Sequence, residues 1–140
     1  MKAFVYHVQI NVNKSEDSFS FWREMLQYLG YEIVDSGEWG FGATNGTCDF
    51  WIMSTQGKYK KNKFHRKNTG LNHVAFGVSA KAEVDRFINE FLMPRKIKLL
   101  YDSPREYPEY EKGYYAVYFE DSDRIKIEVA YKNGFAQRLK

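Results

Sequence analysis

The sequence predicts an α+β fold of two βαβββ modules, and three observations carry that prediction. Each half opens on a short run of alternating apolar and polar residues, FVYHVQINV at 4–12 and LNHVAFGV at 71–78. Each run is followed by a helical apolar stripe and then by three more strand-like segments. The offset that lays His7 on His73 also lays Phe21 on Phe87, Trp22 on Ile88 and Met25 on Phe91. A repeated unit that cannot cover its own sheet is expected to pack against its copy. One domain, 1–140, is therefore expected, with module one at about 1–56, a basic loop at about 57–69, module two at about 70–131 and a tail at 132–140.

In the first strand Val8, Ile10 and Val12 share one face, and His7, Gln9 and Asn11 the other. Ser15 is placed to cap the following helix, and Glu16 and Asp17 suit its positive N-terminal end. Phe19, Trp22, Met25, Leu26 and Leu29 recur at helical spacing, and Gly30 supplies the stop. Three strands are expected at 31–34, 38–42 and 48–54, with Asn45-Gly46 as a hairpin turn. In the second half Val74, Phe76 and Val78 oppose His73, Ala75 and Gly77. Ser79 is the expected cap of a helix carrying Val84, Phe87, Ile88 and Phe91, which Pro94 ends. Strands at 96–101, 114–120 and 125–131 complete the set.

Composition narrows the class of protein. A hydrophobic fraction of 44% and a charged fraction of 28% describe an ordinary globular chain, not a disordered one. Aromatics reach 18%, a surplus that suits an apolar ligand cavity as well as a core. Much of the net charge of +3 lies in one run, Lys58, Lys60, Lys61, Lys63, His65, Arg66 and Lys67. It is expected to be a solvated loop, able to steer an anionic substrate or a thiol cofactor. A nucleic-acid partner is not expected, because no basic face or reading element accompanies the run. Cys48 is the only cysteine, so no intrachain disulfide forms, and nothing adjacent marks it as an activated thiolate. With no apolar run of membrane-spanning length and no N-terminal leader pattern, a cytoplasmic protein is expected.

The helical stripes must bury one face of each sheet, which leaves the opposite face for a concavity. His7 and His73 point into it by alternation. In RIKIEVAY, 124–131, Ile125, Ile127 and Val129 take the helix side, while Lys126, Glu128 and Ala130 take the cavity side. Slipping this register by one residue would expose three branched aliphatic side chains. Two histidines and a carboxylate are a recurring set for a divalent metal that keeps open positions for substrate or water. Zinc, iron, manganese or nickel would suit the ligands.

Four stretches together resemble the vicinal oxygen chelate superfamily of glyoxalases, bleomycin-resistance proteins and extradiol dioxygenases. They are HVQINV with SFWREMLQYLGY (7–31), GFG…DFWI (40–52), LNHVAFGV (71–78) and FEDSDRIKIEV (119–129). The resemblance implies paired βαβββ modules with sheets curving around a central cavity. It also implies metal ligands at His7, His73 and Glu128, with Glu128 as the catalytic carboxylate. Lyase, thiol-transferase and dioxygenase chemistry on a small oxygen-bearing substrate all fit, as does a drug-sequestering protein without catalysis. No organic cofactor site is implied, and a homodimer is expected. The sequence departs from the four-ligand glyoxalase pattern at Trp51, which cannot ligate; Asp49, two residues earlier, is a weaker substitute. Trp51 is expected as a pocket wall, joined by Asp49, Tyr107, Tyr110 and Tyr115. The turn before the last strand, Asp121-Ser122-Asp123-Arg124, has lost the glycine usual at its final position.

Overall fold

The computed structural model describes residues 1–13 and 15–138, without the side chain of Ser15, so the cap expected from Ser15 and the last two tail residues lie outside it. The described chain divides into two compact units, Met1–Lys63 and Phe64–Lys140, with the division inside the basic run.

In the first unit β1 (His7–Val12) leads to α1 (Ser15–Tyr28) and then to β2 (Glu32–Gly37), β3 (Gly40–Thr44) and β4 (Asp49–Ser54). The sheet order is β1-β4-β3-β2, with β1 parallel to β4 and the other pairs antiparallel. Ile10, Val12, Trp22, Met25, Leu26, Phe41, Phe50 and Ile52 are buried, so the α1 stripe closes one face of the sheet as its spacing requires. Gly30, at φ 86°, ends the helix in the left-handed conformation. Asn45 accepts the backbone N–H groups of Thr47 and Cys48 at 3.0 Å each, and Gly46 takes φ 80°, which makes the β3–β4 turn. The expected strand at 38–42 begins at Gly40 instead, because Glu38 and Trp39 form the tight turn from β2.

The second unit repeats the plan. β5 (His73–Val78) is followed by α2 (Lys81–Phe87), a π-helical turn over Ile88–Leu92, β6 (Leu99–Glu106), β7 (Tyr115–Glu120) and β8 (Lys126–Tyr131), in the order β5-β8-β7-β6. Phe87 stacks on Phe91 at 5.2 Å and tilts against Phe119 at 5.6 Å, over a floor of Ile125, Ile127 and Val129. Ser79 does not cap α2. The capping position falls on Ala80, and Ser79 instead holds Glu83 through its N–H at 2.8 Å and its hydroxyl at 2.7 Å. The expected strand at 96–101 starts later and runs further, through an irregularity between Leu100 and Arg105. There the Ser103 hydroxyl donates to the Leu100 carbonyl at 2.6 Å and accepts the Tyr118 N–H at 3.0 Å, replacing the interrupted ladder. Tyr101 and Asp102 take φ of 58° and 52°, so the strand kinks and turns Tyr101 over the face away from α2. Part of the tail folds as a short helix, α3 (Phe135–Arg138), where no element was expected.

The Asp121–Arg124 turn forms without its glycine. Asp121 accepts the N–H groups of Asp123 at 2.9 Å and Ile125 at 2.8 Å, while Arg124 is held at φ 66°. Since that conformation costs a side-chain-bearing residue about 1–2 kcal/mol, Arg124→Gly should raise stability by about 1 kcal/mol, read by urea denaturation. An unchanged or lower midpoint would show that the contact of Arg124 with Glu120, at 3.8 Å, outweighs the relief.

Candidate functional site

Each unit carries a hollow on the sheet face opposite its helix. In the second unit alternation brings Lys126, Glu128 and Ala130 to that face of β8. Register sets Tyr118 opposite Glu128 and Ala116 opposite Ala130 on β7, and sets Ala75 beside Glu128 on β5. Directly paired residues share a face, so β7 contributes Tyr118. The resulting hollow, of about 480 Å³, is lined by five tyrosines (Tyr101, Tyr107, Tyr110, Tyr114 and Tyr118) with His73, Arg105, Lys126 and Glu128.

Glu128 is the chemical centre of this hollow. It is only 2% exposed, and each of its oxygens is engaged: His73 Nε2 lies 3.0 Å from Oε2, and the Tyr114 hydroxyl donates to Oε1 at 2.7 Å. The Tyr118 hydroxyl also donates to the carboxylate. Burial opposes ionisation of Glu128, but the bonds from His73, Tyr114 and Tyr118 outweigh it and hold the carboxyl below its ordinary range. The same arrangement pushes both phenols up: burial first, then the nearby carboxylate, resist their ionisation.

The other nitrogen of His73 decides what the pair can hold. Asn72 donates its amide to the Arg66 carbonyl at 3.2 Å, which turns its own oxygen toward His73 Nδ1 at 2.8 Å. A carbonyl there requires Nδ1 to carry the proton, as assigned from this network. With Nδ1 so occupied, Nε2 either carries a proton that it donates to the Glu128 carboxylate or turns a lone pair toward it. Two electron-rich atoms 3.0 Å apart need a cation shared between them, a proton or a metal ion. Neighbouring ligands on an octahedral ion with bonds of about 2.1 Å would have about this spacing. His73 and Glu128 therefore fit a divalent metal.

His7 opens β1 as His73 opens β5. It lies in the first unit's own hollow, of about 550 Å³, with Tyr6, Gln9, Trp39, Trp51 and Met53. There Gln9 pairs with Trp51, in the place where Ala75 pairs with Glu128 in the second unit. Trp51 thus occupies the repeat position of Glu128 and walls its hollow, with Trp39 tilted against it at 5.9 Å. Asp49, opposite His7 in register, is held by the Thr44 hydroxyl at 2.5 Å. Within each unit taken by itself, no three His, Cys, Asp or Glu side chains among the described residues form a metal-binding group. The Cys48 thiol is pushed up by burial and then by Asp49, away from thiolate reactivity.

Gly42 makes room for Trp51: a methyl group there would lie 2.7 Å from the indole ring. Gly42→Ala should swing the ring out of the hollow and shift tryptophan emission, with a cost in stability of about 1–2 kcal/mol. Unchanged emission would show that the ring yields in place.

Of the tyrosines expected from sequence, Tyr107 and Tyr110 line the second hollow, stacked at 5.5 Å. Tyr115 does not. It sits on the α2 side of β7, where its hydroxyl donates to Asp85 at 2.7 Å. Alternation through 114–119 sends Tyr114, Ala116 and Tyr118 one way and Tyr115, Val117 and Phe119 the other. That pattern could have found Tyr114 and Tyr118. Tyr101 was not findable so, since only the kink in β6 aims it.

No protein-family model matches the chain. It is 32% identical over 127 residues to the uncharacterized protein YqjT of Bacillus subtilis, covering 89% of this chain and 96% of that one. A solved structure of a candidate glyoxalase from Bacillus halodurans is 34% identical, covers 91% of this chain and 95% of its own, and superposes with a TM-score of 0.83. The chain belongs to the glyoxalase, or vicinal oxygen chelate, superfamily. Within that superfamily the fold is also shared with FosX, a fosfomycin resistance protein of Listeria monocytogenes solved with Mn(II) and a dihydroxypropylphosphonic acid. That match is 16% identical, with a TM-score of 0.67 over 99% of this chain and 98% of that one. Superfamily membership accounts for the βαβββ repeat and for the two sheets, each open on the face away from its helix.

Proposed function

We propose that this chain is a metal-dependent enzyme of the superfamily, holding one divalent ion through His7, His73 and Glu128 and acting on a small oxygen-bearing substrate. The observation that carries the reading is the His73 Nε2 and Glu128 Oε2 pair, 3.0 Å apart on a tyrosine-lined hollow, the spacing of two neighbouring ligands on one ion. His7, at the repeat position of His73, is the third ligand. Trp51, at the repeat position of Glu128, rules out a fourth protein ligand there. Such an ion would stabilise negative charge developing on substrate oxygens. The protein supplies the rest. Glu128 is kept ionised by its donors, Asn72 fixes the ring of His73, and the tyrosine walls exclude water and orient an apolar body.

A homodimer completes the proposal. Phe4, Val5 and Tyr6, just before His7, are 76%, 65% and 64% exposed, an apolar segment suited to burial by a second copy. Metal analysis of protein purified without chelator tests the enzyme reading. About one ion per chain is expected, with retention lost in His73→Ala and His7→Ala. A metal content near zero after incubation with manganese, zinc, iron and nickel would overturn it. Mixing the two single variants asks whether a site is shared: recovered metal means that His7 of one copy serves the other.

The alternative is a binding protein of the bleomycin-resistance type, without catalysis. The full engagement of Glu128 by His73, Tyr114 and Tyr118 favours it, because a satisfied carboxylate needs no ion. Ligand affinity that is equal with and without metal would select this reading.

A further inference from the structure

The mechanism above leaves one charged group of the second hollow without a task. Lys126 opens β8 two residues before Glu128, lines the same hollow and is 9% exposed. Its ammonium stands 5.4 Å from the ring centroids of both Tyr101 and Tyr118. Among the described residues no carboxylate forms an ion pair with it. Glu120, directly opposite in register, is taken by Arg66 and approached by Arg124. Glu128 is taken by His73, Tyr114 and Tyr118. Arg105, the other cation of the hollow, is spent as well: it donates to Glu109 and to the Glu106 carbonyl at 2.7 Å each, and lies over the Tyr107 ring at 3.8 Å.

Contact with two aromatic faces returns about 0.5–2 kcal/mol to the ammonium and leaves its charge open to a guest in the hollow. An oxyanion with a flat or apolar body supplies both the counter-charge this cation lacks and a surface the tyrosine walls can hold.

We infer that the hollow of the second unit is an anion-binding site in which Lys126 receives the carboxylate or phosphoryl group of a small organic acid, while the tyrosine walls hold its body. The inference shares its hollow with the proposed function but does not depend on a metal. It narrows the substrate to an acid whose charged end sits on Lys126, leaving its remaining oxygens toward His73 and Glu128.

Titration calorimetry on the full chain tests this, with benzoate and phenylphosphonate as the two oxyanion probes and benzamide as the neutral analogue of the same shape. Each probe is run with chelator and again with added manganese. Binding of at least one acid, at least tenfold tighter than benzamide in the presence of chelator, is expected; the stronger of the two acids identifies the oxyanion. Lys126→Met should lose that tenfold and Lys126→Arg should keep it. Equal binding of acid and amide by the wild-type chain would overturn the inference without needing any variant. So would a Lys126→Met protein that melts cooperatively and still prefers the acid, or acid binding seen only with manganese. If the chain takes up no metal but discriminates by charge through Lys126, the enzyme reading falls and the anion site stands.

Discussion

Glu128→Ala should destabilise the protein by about 3 kcal/mol, because it strands the Tyr114 and Tyr118 hydroxyls and His73 on a buried face. The same variant should lose whatever metal the wild type retains. Glu128→Gln separates the two effects: its amide keeps the shape and an acceptor oxygen, so most of the stability should return while metal retention stays low. Urea denaturation and metal analysis on the same preparations read both. A Glu128→Ala protein as stable as wild type would mean that the hydrogen-bond network contributes little.

The acid limb follows with a defined sign. The folded state holds the Glu128 carboxyl below its ordinary range. Its contribution is therefore complete above the unfolded carboxyl value, about 4.3, and fades as pH falls through the lower folded value. Glu83, held low mainly by Ser79, and Glu109, held low mainly by Arg105, add to the same acid loss. Glu128→Gln should accordingly flatten the decline below about pH 4 in part and not wholly. An unchanged pH profile would place the loss entirely in the other two carboxyls.

The second large effect is expected at Gly40→Ala, which acts through the backbone. Gly40 starts β3 at φ 138°, and a methyl group there would come within 1.9 Å of the Ile52 carbonyl oxygen on β4. Nothing flexible can yield, since the obstacle is main chain in the centre of the sheet. A loss of about 3 kcal/mol or more is expected, from a forbidden dihedral combined with a broken β3–β4 register. Gly46→Ala is the natural control. Its φ is 80° with no atom within 4 Å, so only the conformational cost of about 1–2 kcal/mol applies. Equal losses at the two positions in urea denaturation would show that the β3–β4 ladder shifts to accept the methyl group.

Alternation and helical spacing in the sequence alone determined the repeat of strand, helix and three strands. They also determined which face of β5 and of β8 turns from the helix, and hence that His73 and Glu128 face one hollow. Those features are local: a period of two or of 3.6 is written in the order of residues, and an apolar stripe has one place to go. The turns at Gly30 and Asn45-Gly46 were legible for the same reason. What the sequence left open depends on distance across strands. Which tyrosines line the hollow is set by the β7–β8 register, which places Tyr118 against Glu128 and turns Tyr115 toward Asp85. Tyr101 reaches the hollow only through the kink in β6 that Ser103 ties together. Lys126 could be assigned to a face from sequence, yet its lack of a carboxylate partner among the described residues emerges only when Glu120 is seen bound by Arg66, 54 residues away in the chain. Charge pairing of that kind is a contest among side chains from separate strands and loops, and only the folded chain decides it.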